Sequence, residues 1–499
     1  MQNGAQGIGK VGSGVRYDAA IIGAGADGLA AAATLAKSGM KVVVLERAEQ
    51  PGGRLLTREF HPGFRASPFC DELPAIPADI FWSLDLGRRG AVFVPSTISR
   101  AVWPDRENVL RLGDQPLLRS QGTLAAAALR RAQTEECPPP KRSPFFGAKP
   151  APDPWPGEEW ATLSLHEICA SGGQDDDIAA HLAARALTGR AAHPDHVGSA
   201  LHMLAPGEAR SGIVMGGLHK LAEALATAAA DAGAEISCGL EVAEIQRTGS
   251  RASGIALAGG TQIFARAVIS TLDLKRTFLS LFPWSALPAE TSRRVANFRM
   301  GGGTARILLA LAKTPAAENL LGAVYAAPDI AMFGASYAAW RSGVMPDNPP
   351  ATLRVVSATD PSLAPIGSAS MTITLGYIPA RLFDGAWTHQ KREFLLEKAL
   401  SAAESVFPGL RADVLGAEII TPTDIEEALG LTDGDLGGGE NAADQMFRFR
   451  PWLDIASPRT PFTGVYLAGP SSAAAPFGTC APGVIAARAL IADLRAGRL

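Results

Sequence analysis

Three glycines, Gly23, Gly25 and Gly28, stand at the spacing G-x-G-x-x-G and indicate phosphate-binding chemistry. The first glycine of this motif permits a tight turn, the second lets a pyrophosphate approach the backbone, and the third brings a helix close to a sheet. The free N–H groups at the start of that helix attract the negative charge of a diphosphate. The sequence therefore predicts a dinucleotide site, whose cofactor-binding residues also include Ala26 and Asp27.

An acidic residue, Glu46, ends a second apolar run, eighteen residues after Gly28. A carboxylate at this position accepts hydrogen bonds from both hydroxyls of an adenosine ribose and repels a 2′-phosphate. A nucleotide-free α/β crossover is the alternative. The predicted strand on each side of the motif and the alanine-rich helix between them favour the dinucleotide.

A second glycine pair, Gly52-Gly53, lies just beyond the ribose acid and favours FAD over NAD. It allows another loop to contact the diphosphate and the ribityl chain, and an ordinary loop after a strand is the alternative. Arg47 and Arg54 flank this segment, and we expect both side chains to contact the cofactor. For Arg54 the alternative is a surface salt bridge.

The composition is that of a globular protein of 499 residues, 47% hydrophobic and 19% charged, with a formal net charge of −3. A chain of this length buries a large core and is expected to form two domains. The slightly negative charge provides no basic surface for nucleic acid. Five widely spaced cysteines form no C-x-x-C pair, which argues against a disulfide reductase and favours a reducing, cytoplasmic location. They are Cys70, Cys137, Cys169, Cys238 and Cys480.

Four segments of the C-terminal half carry a family resemblance: TPTDIE at 421–426, GGGENAADQ at 437–445, FRP at 449–451 and TPFTGVYLAG at 460–469. They resemble the phytoene-desaturase-like oxidoreductases, which are carotenoid oxidoreductases with an FAD cofactor. The acidic-Gln-aromatic-Arg-Pro order is similar to the branch of pyridine nucleotide-disulfide oxidoreductase domain-containing protein 2. The resemblance implies a glutathione-reductase-like fold, noncovalent FAD and redox chemistry on C–C or C–N bonds of apolar substrates.

The resemblance also implies cofactor contacts outside the glycine motif. Val242 matches the residue whose backbone contacts adenine, and Gly469 precedes the segment that lines the isoalloxazine ring. A helix that begins near Gly483 and Val484 directs its N-terminus at the flavin pyrimidine. The partial positive charge of a helix N-terminus stabilises negative charge there.

The chain departs from the family just beyond Gly469. Members carry a Pro-Gly-Gly-Gly run there, whereas this sequence reads AAPFGTCAPG at 474–483 and retains only the final Pro-Gly. We therefore name Phe477 and Cys480 as candidate catalytic residues beside the flavin. The alternatives are that Phe477 packs into a domain interface and that Cys480 is a small buried residue.

The predicted fold class is α/β: a glutathione-reductase-like Rossmann FAD-binding domain with an interleaved α+β substrate domain. Residues 1–16 are glycine-rich and lack an apolar run, so we predict a disordered tail rather than a signal peptide. No run of about 18 apolar residues indicates a membrane span. The FAD-binding domain is predicted to comprise 17–86, 212–271 and 441–499, and the substrate domain 87–211 and 272–440.

Local patterns predict further elements in the substrate domain. Residues 353–357 and 371–375 are predicted strands, and residues 393–406 are a predicted helix. The sequence TDIE at 423–426 predicts a capping box that opens another helix. The proline-rich stretch 137–157 predicts a loop, either a surface insertion or a lid over the substrate.

Three histidines, His193, His196 and His202, raise the question of a metal site. Pro194 interrupts helical spacing between the first two histidines. No cysteine or acid cluster completes a ligand set with them. We therefore predict no bound metal.

These patterns together predict an FAD-dependent oxidoreductase that abstracts a hydride from a hydrophobic small molecule. The reaction would be a desaturation or the oxidation of an amine or C–C bond, with reoxidation by oxygen or a quinone. One alternative is a redox-neutral, flavin-dependent isomerase of a polyene-like substrate. Another is a flavin-retaining structural or interaction protein without turnover. Peripheral membrane contact and the oligomeric state are left open by the sequence.

Overall fold

The computed structural model describes residues 15–96, 98–102, 107–111, 124, 127, 158–171, 176–203, 212–316, 320–327, 329–446, 450–451, 458–472 and 479–499. Three of the sequence predictions lie outside these residues. They are most of the disordered tail, the proline-rich loop at 137–157 and the candidate catalytic residue Phe477. The first strand begins at Arg16, so the last residue of the predicted tail belongs to the fold.

The described chain contains both strands and helices, in single elements and in short runs of one type. The strands are β1 (Arg16–Ile22), β2 (Val42–Leu45), β3 (Arg58–His61), β4 (Phe64–Ala66), β5 (Phe93–Pro95), β6 (Ile98–Val102), β7 (Glu107–Arg111), β8 (Gly212–Val214), β9 (Glu235–Ser237), β10 (Val242–Thr248), β11 (Arg251–Leu257), β12 (Gln262–Ser270), β13 (Thr304–Leu311), β14 (Ala323–Ala326), β15 (Ala351–Val355), β16 (Ala369–Gly376), β17 (Val414–Ile420) and β18 (Val465–Leu467).

The α-helices of the described residues vary from a single turn to about five turns. They are α1 (Ala26–Lys37), α2 (Ala78–Ser83), α3 (Leu165–Ser171), α4 (Asp176–Leu187), α5 (His219–Asp231), α6 (Ala289–Asn297), α7 (Ala331–Arg341), α8 (Val356–Thr359), α9 (His389–Val406), α10 (Pro422–Leu429) and α11 (Ala481–Arg495). Within the part of the chain that the structure describes, no helix is long and apolar enough to cross a membrane.

One seven-stranded sheet has the order β10-β11-β12-β1-β2-β9, and β18 pairs with β12. The strands from β12 to β9 are parallel, as is β18, whereas β10, β11 and β12 form an antiparallel meander. Every residue of β2 is buried, as expected for a parallel sheet covered on both faces. This sheet confirms the predicted α/β fold class, and the division into two domains stays a prediction.

The alanine-rich helix α1 packs against α5 and α11 as well as the first sheet. Residues 30–33 are all alanine and fully buried, because small side chains let several elements approach one helix. The approach at Gly483 of α11 leaves no room for a side chain, since a Cβ atom there would lie 1.9 Å from the carbonyl oxygen of Asp27. The high alanine content therefore has a packing reason.

A second seven-stranded sheet has the order β17-β13-β16-β15-β14-β6-β7. All neighbours pair antiparallel except β14 and β6, which are parallel. Helix α9 packs on this sheet, and its buried residues Leu395, Ala399 and Ala403 join the apolar cluster beneath it. Strand β15 ends at Val355 and helix α8 follows, so the strand predicted to residue 357 was two residues too long.

The capping box predicted at 423–426 is wrong by two residues. Helix α10 begins after Thr421, whose hydroxyl accepts the Asp424 N–H while the Asp424 carboxylate accepts the Thr421 N–H. Pro422 takes the first helical position. A proline suits that position because its φ is already helical and its missing N–H would have no partner there.

Two ion pairs connect the loop after β4 to the second sheet. The Arg306 guanidinium contacts the Asp71 carboxylate at 2.6 Å, and Arg354 contacts Glu72 at 2.8 Å. The Arg306 and Asp71 side chains are only 3% and 11% exposed. The charges therefore satisfy one another inside the protein and fix the chain after β4 against the second sheet.

Candidate functional site

The glycine motif forms the turn between β1 and α1. Gly23 has φ +96°, a conformation that favours glycine. A Cβ atom on Gly28 would lie 2.0 Å from the Gly23 carbonyl oxygen, so a larger residue would push α1 away from the turn. A Cβ atom on Gly25 would meet no protein atom within 4 Å. Gly25 therefore leaves an open space beside the backbone.

That space belongs to a cavity of about 480 Å³, a typical volume for a small-molecule site. The structure brings most of the predicted cofactor residues into its lining, although their contact with FAD stays a prediction. The predicted residues that line it are Gly23, Gly25, Ala26, Asp27, Glu46, Arg47, Gly53, Arg54 and Val242. Four predicted residues, Gly28, Gly469, Gly483 and Val484, are not among the lining residues.

The Glu46 carboxylate lies at the turn and faces the cavity. Its Oε2 accepts the Ala24 N–H at 2.8 Å, and its Oε1 accepts the Ala48 N–H at 2.9 Å. Each carboxylate oxygen has two lone pairs, so each can accept one further hydrogen bond. The structure therefore positions Glu46 rigidly and leaves acceptor capacity for a pair of hydroxyl groups.

The second glycine pair packs directly on the first turn. The Gly52 N–H donates to the Ala24 carbonyl at 2.9 Å, and Gly52 forms an isolated parallel bridge with Gly25. Gly52 and Gly53 have φ +137° and +54°, so this loop has the left-handed geometry that favours glycine. The loop after β2 is thus part of the cavity wall rather than a free surface loop.

Arg54 and Arg47 have different surroundings. Arg54 is 8% exposed and donates to the Leu436 carbonyl, so the alternative of a surface salt bridge is wrong. Burial lowers the pKa of Arg54, and the carboxyl groups of Asp27 and Asp435 oppose that shift. Arg47 donates to the Glu427 carbonyl at the end of α10. Both arginines therefore link the cavity to the segment that follows the second sheet.

Asp27 is a buried acidic residue of the site with an incomplete set of hydrogen bonds. The side chain is 6% exposed, and its Oδ1 atom has no hydrogen-bond partner. Burial raises the pKa of Asp27 to about 7, although the Arg54 charge and the Gly483 N–H oppose the shift. A buried polar atom without a partner at the N-terminus of α1 fits a site that a ligand completes.

The start of α11 packs against the first turn of α1. The helix begins at Ala481, two residues before the predicted start, and Cys480 is its N-cap residue at φ +60°. Cys480 is fully buried, and burial raises the pKa of its thiol well above the usual value. A Cβ atom on Gly469 would lie 2.8 Å from the Thr271 carbonyl oxygen. Val484, also buried, belongs to the same apolar cluster as Cys480.

Several lining residues were missed by the sequence analysis. Thr271 follows β12, and its hydroxyl donates to the Ile22 carbonyl at 2.8 Å. The position of Thr271 directly after an apolar strand is a sequence signal that could have identified it as a lining residue. The wall at 428–431 comprises the end of α10 and the two residues after it, far from the glycine motif in sequence, and no local pattern marked it. The missed residues of the lining include Thr271, Leu272, Arg276, Leu240, Glu241, Ala428, Leu429, Gly430, Leu431 and Pro470.

The histidines examined for a metal site have other contacts. The rings of His193 and His196 stack with centroids 4.8 Å apart and lie edge-on to Tyr337. His202 is buried in a short helical turn, and burial lowers its pKa to about 3. Among the described residues, no group of three histidine, cysteine or acidic side chains has the arrangement of a metal site.

The fold and the cavity define a flavoprotein with a Rossmann-like nucleotide domain. Residues 21–72 match the NAD(P)-binding Rossmann-like domain. The chain belongs to the family of flavin containing amine oxidoreductases, whose sequence profile matches residues 176–488. It is accordingly an FAD-dependent oxidoreductase, which confirms the cofactor and the enzyme class predicted from the sequence.

Relatives of this chain confirm the resemblance to the desaturase family. Pyridine nucleotide-disulfide oxidoreductase domain-containing protein 2 of Rattus norvegicus is 28% identical, over 94% of this chain and 91% of the relative. Hydroxyneurosporene desaturase of Cereibacter sphaeroides is 29% identical, over 51% of this chain and 55% of the relative. The first of these similarities extends over nearly the whole chain.

Solved structures share the fold at low sequence identity. An oxidoreductase from Methanosarcina mazei has a TM-score of 0.59 and 20% identity, covering 96% of this chain and 100% of its own. Cyclohexylamine oxidase from Brevibacterium oxydans has a TM-score of 0.57 and 17% identity, covering 96% of this chain and 99% of its own. Both similarities concern the fold alone.

Proposed function

We propose that the cavity binds FAD with the adenine near Val242, the ribose at Glu46 and the diphosphate at the glycine turn. The space beside Gly25 is the observation that carries this proposal, because a side chain there would occupy the cavity rather than touch protein. The acceptor capacity of Glu46 and the N-terminus of α1 support the same orientation. Arg54 and Asp27 lie where the diphosphate or ribityl chain would pass.

We infer further that the reaction is hydride abstraction from a hydrophobic substrate, as a desaturation or an amine or C–C oxidation. Bound FAD supplies the hydride acceptor. The similarity to hydroxyneurosporene desaturase and to a neurosporene-forming phytoene desaturase supports an apolar substrate. The N-terminus of α11 would favour negative charge on the flavin. Cys480 packs this helix start as a protonated thiol, because burial raises its pKa.

A glycine-to-alanine pair tests the proposed cofactor position. Gly25→Ala should weaken FAD binding at least about tenfold, because the new methyl group occupies the cavity. Gly259→Ala is the matched control, since its Cβ atom also meets no protein atom within 4 Å but lies outside the lining. Flavin fluorescence titration of the apoprotein gives both affinities. Equal FAD affinity in the two variants would place the diphosphate elsewhere.

The substrate class is tested by anaerobic mixing of the holoenzyme with a neutral polyene or a primary alkyl amine. We expect the polyene to bleach the absorbance of oxidised flavin if the reaction is a desaturation, and the alkyl amine to bleach it if the reaction is an amine oxidation. Failure of both compounds to bleach the flavin would contradict hydride abstraction from an apolar substrate. A polyene converted without net flavin reduction would identify the isomerase alternative instead. Product analysis by mass spectrometry accompanies the absorbance trace and distinguishes desaturation from isomerisation.

A further inference from the structure

The Asp27 carboxyl group lies where two helices begin. Asp27 is in the first turn of α1, and the backbone of α11 crosses it at Gly483, where a Cβ atom would be 1.9 Å from the Asp27 carbonyl. The Asp27 side chain lines the cavity and is only 6% exposed, and its Oδ1 atom has no hydrogen-bond partner. An acid is thus placed beside the predicted diphosphate position.

The charged and titratable groups that face Asp27 do not neutralise it completely. Arg54 is the facing cation, and it also interacts with Asp435 and Asp273. The thiol of Cys480 faces Asp27 from the start of α11 and stays protonated, since burial raises its pKa. The Arg54 guanidinium is therefore shared by three carboxyl groups, of which Asp435 also interacts with the buried Arg450.

In Asp435 and Asp273 both carboxyl oxygens accept N–H groups, whereas the Oδ1 atom of Asp27 accepts none. Asp435 accepts the N–H groups of Gly437 at 2.7 Å and Gly439 at 3.0 Å. Asp273 accepts the N–H groups of Thr432 at 2.7 Å and Arg276 at 2.8 Å. Hydrogen bonds from N–H groups favour the ionised form of a carboxyl group. Burial also raises the pKa of Asp435, but its N–H donors and the charge of Arg450 oppose that shift. Asp27 is the member of this group with an oxygen that has no hydrogen-bond partner and can carry a proton.

We propose that Asp27 takes up one proton when FAD binds and holds the cofactor as a neutral carboxylic acid. This inference rests on the proposed placement of the diphosphate at the glycine turn. An ionised carboxylate at this buried position would repel the phosphate charges. The protonated group instead donates an O–H hydrogen bond to an FAD oxygen, and no electron or covalent bond changes.

The direction in which FAD affinity changes with pH follows from this proton uptake. Burial already raises the pKa of Asp27 to about 7 in the protein without FAD. Below that pH the proton is present before FAD arrives, so affinity does not change with pH. Above it, binding must take a proton from solvent, and affinity falls by up to about tenfold per pH unit.

Isothermal titration calorimetry of the apoprotein with FAD tests the proposal. Titrations at about pH 8, in two buffers of different ionisation enthalpy, count the protons taken up on binding. We expect about one proton per FAD for the wild type and about zero for Asp27→Asn. The Asn side chain is isosteric, and its amide also donates, so this variant should bind FAD about tenfold tighter than wild type at that pH. At about pH 6 the two affinities should agree.

Asp79→Asn is the matched control, because Asp79 lies in α2, pairs with Arg488 and is outside the cavity lining. It should retain the wild-type proton uptake. Wild-type binding without proton uptake overturns the inference while leaving FAD binding intact. Loss of FAD binding by Asp27→Asn at every pH also overturns it, since the ionised group would then be required. A wild-type protein that binds no FAD overturns the proposed function and this inference with it.

Discussion

At the residue scale, Glu46 stabilises the glycine turn and is also the proposed ligand of the ribose. Its two oxygens each accept one backbone N–H and keep one lone pair for a hydroxyl. We predict that Glu46→Arg weakens FAD binding about ten- to a hundredfold. Lost hydrogen bonds to a charged group cost about 1.5–3 kcal/mol, and the substitution adds a cation to the cavity wall.

Flavin fluorescence titration of apoprotein measures this effect, and Glu49→Arg is its control. Glu49 lines the same cavity three residues later but has an exposed side chain. The control carries the same change of charge, so a difference between the two variants isolates the hydrogen bonds of Glu46. If both variants bound FAD as tightly as wild type, Glu46 would not be the ribose ligand.

At the element scale, the contact between α1 and α11 depends on the absence of a side chain at Gly483. A Cβ atom on Gly483 would lie 1.9 Å from the Asp27 carbonyl oxygen, so Gly483→Ala must push the two helices apart. Overpacking of this kind costs about 1–3 kcal/mol. We predict a lower midpoint of urea denaturation and weaker FAD binding together. Gly259→Ala should change neither quantity, and a Gly483→Ala protein with wild-type stability would show that the helices shift freely.

Also at the element scale, the Asp71–Arg306 ion pair fixes the loop after β4 to the second sheet. Both side chains are nearly buried, so Asp71→Asn leaves a buried guanidinium without its charge partner. Breaking such a pair costs about 3–5 kcal/mol. Asp231→Asn is the comparison, because Asp231 is 60% exposed and its pair with Arg89 is expected to contribute less than about 1 kcal/mol. Urea unfolding curves measure both losses, and equal losses would refute the buried-pair interpretation.

At the scale of the whole molecule, two buried histidines make folding sensitive to acid. Burial lowers the pKa of His181 to about 4 and that of His202 to about 3. Both are neutral in the folded protein while the unfolded chain protonates them below about pH 6.5. Their contribution to stability is therefore complete above that pH and is lost as the pH falls toward 4, by up to about 1.4 kcal/mol per pH unit for each histidine.

Thermal unfolding midpoints of the holoenzyme between about pH 7 and about pH 5 measure this sensitivity. We predict that His181→Gln reduces the slope of Tm against pH, even though it also loses the 3.0 Å hydrogen bond to Ser99. His389→Gln should leave the slope unchanged, because His389 is 88% exposed. A slope unaffected by His181→Gln would assign the acid sensitivity to other groups.

The sequence by itself determined the cofactor and the fold class, because their signals are local. The glycine spacing fixes a strand, a turn and a helix within a dozen residues, and Glu46 follows at the end of the next strand. The same locality explains why the resemblance at 421–469 indicated the right family. Short-range backbone geometry and side-chain periodicity encode these features directly.

Only the tertiary structure decided how the site is enclosed and charged. Leu429 and Leu431 line the same cavity as Glu46, although hundreds of residues separate these leucines from Glu46 in sequence. The burial of Arg54 and the unpartnered oxygen of Asp27 arise where α1, α11 and the segment after α10 meet. Such contacts depend on how distant elements pack, and burial and the pKa of a side chain follow from that packing rather than from its sequence neighbours.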